Sequence, residues 1–263
     1  MLKNYFTIAY RNLIKQKWFS LINVLGLAIG MAVAMLVGLW VYDELTYDTY
    51  HKNYDHLAQV MIHQTLSGQT RTNVAISMPL GPALREGYGD DFTALSFGSW
   101  EMTHLISYGD KKITETGMHV EPFFPEMFSL ELLSGTYENA LQEPNSILLA
   151  EPVAKALFGD EDPYGKIVRQ DNMVDLKVTG VFKDLPENSS FRNIHLLTTW
   201  EVYKYHREWT KRASTQWGNH SFQMFVQIAP HTTFEAVSEK IAGIENEFNP
   251  NAKPELFLFP LKK

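Results

Sequence analysis

The sequence predicts an α+β protein with one N-terminal transmembrane helix followed by a two-lobed exported domain. Three observations carry this prediction. Residues 21–42, LINVLGLAIGMAVAMLVGLWVY, hold one polar side chain, Asn23, and no charge. Two later stretches each read as strand, helix, strand. Between them lies a run of short strands and turn signals with a different texture.

The first 18 residues come before the span and have their own period. Leu2, Tyr5, Phe6, Ala9, Leu13 and Ile14 recur at helical spacing, separated by Lys3, Asn4, Thr7, Arg11, Asn12 and Lys15. This predicts a basic amphipathic helix over 1–18, suited to lying along the inner leaflet.

The apolar run would span roughly 33 Å as a helix, enough for a bilayer core. Trp18 and Phe19 flank one end, and Trp40 and Tyr42 the other. Such rings suit the two membrane interfaces. Lys3, Arg11, Lys15 and Lys17 precede the run, whereas Asp43, Glu44 and Asp48 follow it. Basic residues mark the cytoplasmic side, so the N-terminus is expected inside and everything from about residue 43 outside. Cleavage after Ala32-Val33-Ala34 is the rival reading. It would leave MLVGLWVY exposed, and the run exceeds a signal peptide's apolar region, so the span 19–42 reads as an uncleaved anchor. Gly26, Gly30, Ala34 and Gly38 fall every fourth residue and form a smooth stripe for close helix packing. Either the span dimerises or its partners lie on other polypeptides.

After position 42 the formal charge is −11, which argues against nucleic acid or anionic lipid binding through a general basic field. There is no cysteine, so disulfides, thiol catalysis and thiolate metal sites are excluded.

Residues 43–56 read as a stalk. Leu57–Leu66 reads as a strand, Met78-Pro79 opens a helix to about Tyr88, and Phe92–Trp100 alternates as a strand. The second such unit has Ser221–Ile228 as strand, Thr233–Phe248 as helix capped by Thr232 or Thr233, and Glu255–Phe259 as strand. The last strand is expected to fray, with rapid exchange beyond about Asn249. In between, Lys111–Val120 and Ser146–Ala150 read as strands. Glu151–Phe158 is a short helix with Pro152 at its first turn. Lys166–Gln170 and Asp175–Phe182 form a hairpin about Asp171-Asn172.

Several candidate sites fail on spacing. His51, His56 and His63 do not have the i, i+4 spacing of a helical metal site. Asp160, Glu161 and Asp162 lack a calcium-loop pattern. No P-loop, G-x-S-x-G or H-E-x-x-H is present. No catalytic residue, cofactor or metal is therefore expected. The stretch with Trp200, Tyr203, Tyr205, Trp209, Trp217 and Phe222 suits a core or lobe interface better than a ligand site.

Several motifs resemble the MacB/FtsX-like permease subunits of ABC transporters, in the version common in Bacteroidota. The opening MLKNYFTIAYRNLIKQKWFSLINVLGLAIGMAVAM is similar to that family's N-terminus. Tyr47-Asp48-Thr49-Tyr50-His51 resembles its post-membrane Y-D-x-F-H, with Tyr50 where Phe is usual. Phe123–Ser129, Glu143–Ser146 with Ala154–Lys166, and Val178–Val181 with Asp184–Ser189 resemble its later motifs. Asp90-Asp91-Phe92-Thr93 departs from the usual Phe-Pro pair. The resemblance implies a porter-like lobe made of 57–116 and 191–263, with a sabre-like β-rich insertion at 117–190. It implies the N-terminal part of a permease, whose relatives continue into further spans. It also implies a separate cytoplasmic ABC ATPase, dimeric assembly, and a stalk around Tyr47, Asp48 and His51 that transmits movement. In such transporters an adaptor and an outer-membrane duct often complete the path for peptides, lipids or drugs. A single-span sensor or ligand-binding ectodomain is the alternative, weakened by the short cytoplasmic side. A membrane-tethered enzyme is the third class, for which no motif speaks.

Overall fold

The computed structural model describes residues 2–66 and 68–262. It divides into two compact units, one up to Tyr47 and one from Asp48 onward.

The first unit is helical. α1 (Leu2–Lys15) carries the expected amphipathic pattern; the side chains of Leu2 and Lys3 lie outside the described residues. α2 (Lys17–Thr46) follows after Gln16 and has no buried residue. It is long and apolar enough to cross a membrane. The helix runs four residues past the expected end at Tyr42, taking in the first part of the expected stalk. Asp43, Glu44 and Leu45 tolerate helix, and the Thr46 hydroxyl donates back to Tyr42 O at 2.9 Å. Tyr47 then turns extended, at φ −63° and ψ 130°.

The second unit is α+β. Its elements, in order, are β1 (Leu57–Leu66), β2 (Gln69–Asn73), β3 (Ile76–Ser77), α3 (Leu80–Tyr88), β4 (Phe92–Gly98), β5 (Met102–Tyr108), β6 (Lys111–Val120), α4 (Phe124–Met127) and β7 (Leu132–Ser134). Then come β8 (Ser146–Ala150), α5 (Glu151–Phe158), β9 (Ile167–Gln170), β10 (Val174–Phe182) and β11 (Leu196–Thr199). The chain finishes with α6 (Trp200–His206), α7 (Glu208–Ala213), β12 (His220–Ile228), α8 (Phe234–Ile241) and β13 (Glu255–Pro260).

The two strand–helix–strand units interleave. The open sheet runs β4-β12-β1-β13, each pair antiparallel, so a strand of one unit lies between the two strands of the other. This is the split β-α-β arrangement. Its core contains Val60, Ile62, Leu84, Phe97, Phe222, Met224, Val237 and Leu258. Trp200 and Tyr203 complete it, with Trp200 stacked on Phe97 at 5.2 Å. These rings therefore build core, while Tyr205 is exposed.

The chain between β4 and β12 closes a barrel. β6 pairs with β11, β11 with β8, β8 with β10, β10 with β9, β9 with β5, and β5 again with β6. Closure removes the free strand edges that an inserted sheet would expose. Ile106, Met118, Ile147, Leu149, Val168, Leu176 and Leu196 belong to the core cluster of this part of the chain. The barrel begins at β5, so the expected boundary at residue 117 falls inside β6. β6 also meets the open sheet, where Gly98 pairs with Val120.

Two expectations change. The helix expected over 233–248 ends at Ile241, with Thr233 as its cap, accepting from Ala236 N at 3.2 Å. The chain beyond it is drawn inward by Glu245, which is fully buried and accepts from the Ser77 hydroxyl at 2.6 Å. The last strand, expected to fray, is paired along its length. β13 pairs with β1 from His63↔Glu255 to Ala58↔Pro260. Leu261 N then donates to Leu57 O at 2.9 Å, and Lys262 meets Asp55 at 2.7 Å. The first and last strands of the unit are therefore neighbours.

Barrel closure depends on Gly117. A Cβ there would lie 2.0 Å from Leu196 Cδ1 and 2.7 Å from Leu196 O. A backbone carbonyl cannot move aside as a side chain can, so the β6–β11 seam would have to open. Gly117→Ala is expected to destabilise the protein by about 1–3 kcal/mol. Chemical denaturation checks this, and an unchanged midpoint would contradict it.

Candidate functional site

The post-membrane motif ends in a buried latch. Asp48 stands at φ +57°, a left-handed conformation that Asp tolerates better than most residues. That turn directs its carboxylate into the fold, where the residue is only 2% exposed. Ser190 N donates to Oδ1 at 2.7 Å, and the Ser190 hydroxyl donates to Oδ2 at 2.6 Å. The Asp48 N–H donates to Asn188 O at 2.9 Å. Burial pushes the Asp48 carboxyl up, but His51 and the two Ser190 donors outweigh it, so the group sits below its ordinary value.

His51 forms the second half. Its Nδ1 donates to Phe128 O at 2.6 Å, because a carbonyl can only accept. Nε2 lies 3.7 Å from Asp48 Oδ1, too far for a good hydrogen bond. The ring packs edge-on to Phe128 at 5.2 Å. Phe128 joins Phe124, Phe191 and Phe225 in one aromatic cluster, with Phe225 supplied by β12. Lys52 N donates to the Ser129 hydroxyl at 3.0 Å, and Tyr50 OH meets the Ser189 hydroxyl at 3.2 Å. Burial pushes the Tyr50 phenol up.

Three segments far apart in sequence thus converge: 48–52, 128–129 and 188–191. Beside them opens a groove of about 770 Å³, lined in part by Tyr50, Lys52, Leu132, Tyr137, Lys183 and Pro186. The latch's chemistry is mechanical: it fastens one chain segment to two others.

The remaining candidate residues lie on the first unit. Trp18, Trp40 and Tyr42 are largely exposed. Ala34 is exposed, and a Cβ on Gly26, Gly30 or Gly38 would meet nothing within 4 Å, so the stripe is free to accept a partner. Tyr47 closes α2 through its N–H to Glu44 O at 3.4 Å. Ser190, the main partner of Asp48, was not singled out in the sequence. Its only signal was its place directly after the Asp184–Ser189 motif.

The sequence model of the MacB-like periplasmic core domain matches residues 20–244. No curated protein matches the chain. Among solved structures, a permease-protein domain from Porphyromonas gingivalis superposes with TM-score 0.66 at 23% identity, covering 80% of this chain and 92% of that one. The periplasmic region of MacB from Actinobacillus actinomycetemcomitans gives 0.53 at 15% identity, covering 76% and 88%. The extracellular domain of the ABC-type transporter YknZ from Gram-positive bacteria gives 0.53 at 14%, covering 76% and 99%. At these identities the likeness is one of fold.

Asp48→Ala removes the acceptor of the two part-buried Ser190 hydrogen bonds and forces Ala into the left-handed region. It is expected to cost about 2–4 kcal/mol. Asp48→Asn keeps one acceptor and the backbone preference, and is expected to cost less than half as much. Because the folded-state value is depressed, this contribution is full above the ordinary carboxylate range. It is lost as pH falls through the depressed value. Denaturation of both variants from neutral pH to pH 3 checks this. Equal losses in the two variants, or a wild-type margin over Asp48→Asn that does not shrink in acid, would contradict it.

Proposed function

The chain belongs to the MacB-like periplasmic core domain family, and on that premise we propose that it works as the permease component of an ABC exporter. ATP hydrolysis by a separate cytoplasmic subunit moves the spans, and the periplasmic domain changes conformation in response, expelling peptides, lipids or drugs. The chain supplies no nucleotide site and no catalysis of its own. Its N-terminus lies in the cytoplasm and the second unit in the periplasm. Trp18, Trp40 and Tyr42 sit at the membrane surfaces. Gly26, Gly30, Ala34 and Gly38 pack against a second copy or another permease span. An adaptor and an outer-membrane duct continue the path.

The observation that carries this reading is the latch. Any pull arriving through residues 43–47 loads Asp48 and His51 first, and both are tied to the 128–129 and 188–191 segments. A loose tether would absorb such a pull in its own slack. The segment from Asp48 to His51 has little slack to give.

Three experiments test the proposal. Capture of the full chain from its own envelope in mild detergent is expected to bring down an ATP-binding subunit. Gly30→Leu is expected to weaken assembly while leaving insertion intact, because it adds bulk to the stripe. Capture without any ATPase, or unchanged assembly of the variant, would count against the respective claim. For topology, a reporter fused after Lys263 is expected to be active only if it works outside the cytoplasm. Activity of a cytoplasmic reporter there would overturn the orientation.

A further inference from the structure

A second polar cluster lies away from the latch. β5 supplies His104 and β6 supplies His119, with ring centroids 5.2 Å apart. The β9–β10 turn has Asp171 and Asn172 at φ +52° and +56°, which brings Asp171 and Gln170 against His104. These two histidines and Gln170 are 2–4% exposed. They line a cavity of about 190 Å³ with Tyr203, His206 and Arg207.

Two groups meet His104 Nδ1: Asp171 Oδ2 at 2.7 Å and the Gln170 amide nitrogen at 2.8 Å. A carboxylate can only accept, so the proton is assigned to Nδ1, with the Gln170 amide turned to present its oxygen there. Asp171 is itself held by Leu105 N at 2.9 Å. Nε2 is then left with a bare lone pair and no partner. His119 Nδ1 is also buried without a partner. Unpaired polar atoms in the interior are costly, and two on neighbouring imidazoles, with planes 77° apart beside one cavity, call for an occupant.

We propose that His104 and His119 bind a divalent transition-metal ion of the zinc class in this cavity. The arrangement has the marks of such a site. An imidazole that donates its other N–H to a carboxylate is the usual second shell of a metal-bound histidine. Two imidazoles on one tetrahedral ion have ring centroids about 5 Å apart, as here. Neutral nitrogen donors without thiolate suit zinc, copper or nickel better than magnesium or calcium. Among the described residues no three His, Cys, Asp or Glu side chains are grouped on one point. His206 also lines the cavity and is assigned here as the third donor, with water completing the shell. His206 ends α6, at the start of which Trp200 packs on the open-sheet core. A bound ion would staple that helix to the barrel strands β5 and β6. Arg207 also lines the cavity but reaches outward, with its guanidinium over the Tyr203 ring at 5.2 Å and Nη2 3.2 Å from Met102 Sδ.

The test uses the full chain in detergent, without a histidine tag and stripped by chelator, titrated with Co²⁺ and then Zn²⁺. One Co²⁺ per chain is expected, with the visible absorption of a four-coordinate ion, displaced by Zn²⁺. His104→Gln and His119→Gln are each expected to weaken binding at least about 10-fold, and Asp171→Asn about 10–100-fold. His63→Gln is expected to change nothing. Circular dichroism of each metal-free variant identifies those that fold, and affinities are compared among these. Absence of saturable one-to-one binding would mean that the cavity holds only water, and would overturn the proposal. So would unchanged affinity in the folded His104→Gln/His119→Gln double variant.

Discussion

A carboxylate removed from water needs its lone pairs filled, and Asp48 fills them from a segment 142 residues away. The desolvation of one ionised group amounts to several kcal/mol in a protein interior. Ser190 offsets it with a backbone and a side-chain donor. These partners exist only when the 188–191 loop is folded against the start of the domain. His51 repeats the arrangement toward Phe128 and the aromatic cluster behind it. The post-membrane residues are thus part of the core's outer layer.

From this layer a displacement can reach both halves of the domain. Phe128, Phe191 and Phe225 touch one another beneath the latch. Phe225 belongs to β12 of the open sheet, whereas Phe128 and Phe191 lie in the chain that builds the barrel. β6 provides a second connection, paired with β5 and β11 in the barrel and with β4 at the sheet edge. The two cores are thus joined at a strand seam and an aromatic cluster.

Much of this was legible in the sequence where local chemistry decides the outcome. The apolar run, the β1, β6 and β8 periodicities, Pro152 in α5 and the Asp171-Asn172 turn are local signals, and each matches an element. β5 and β11 were missed because short strands acquire their identity from neighbours: β11, Leu196–Thr199, is completed by β6 and β8. Barrel closure was invisible for the same reason, since it is a property of register. α8 read too long because its amphipathic period continues after the backbone has turned to bury Glu245. Of the latch, Asp48 and His51 were found through the resemblance, but Ser190 was not. The His104–His119 pair lies 15 positions apart on two strands, and only the hairpin brings the rings together.

The tie between the post-membrane segment and the 188–191 loop is tested most directly by a double-mutant cycle on Asp48 and Ser190. Asp48→Ala and Ser190→Ala would each be measured alone and together by chemical denaturation. The account predicts non-additivity of at least about 1 kcal/mol, because each variant removes the same part-buried hydrogen bond. Losses that simply add, within about 0.3–0.5 kcal/mol, would show that the two residues do not hold one another and that the latch is not the fastening described.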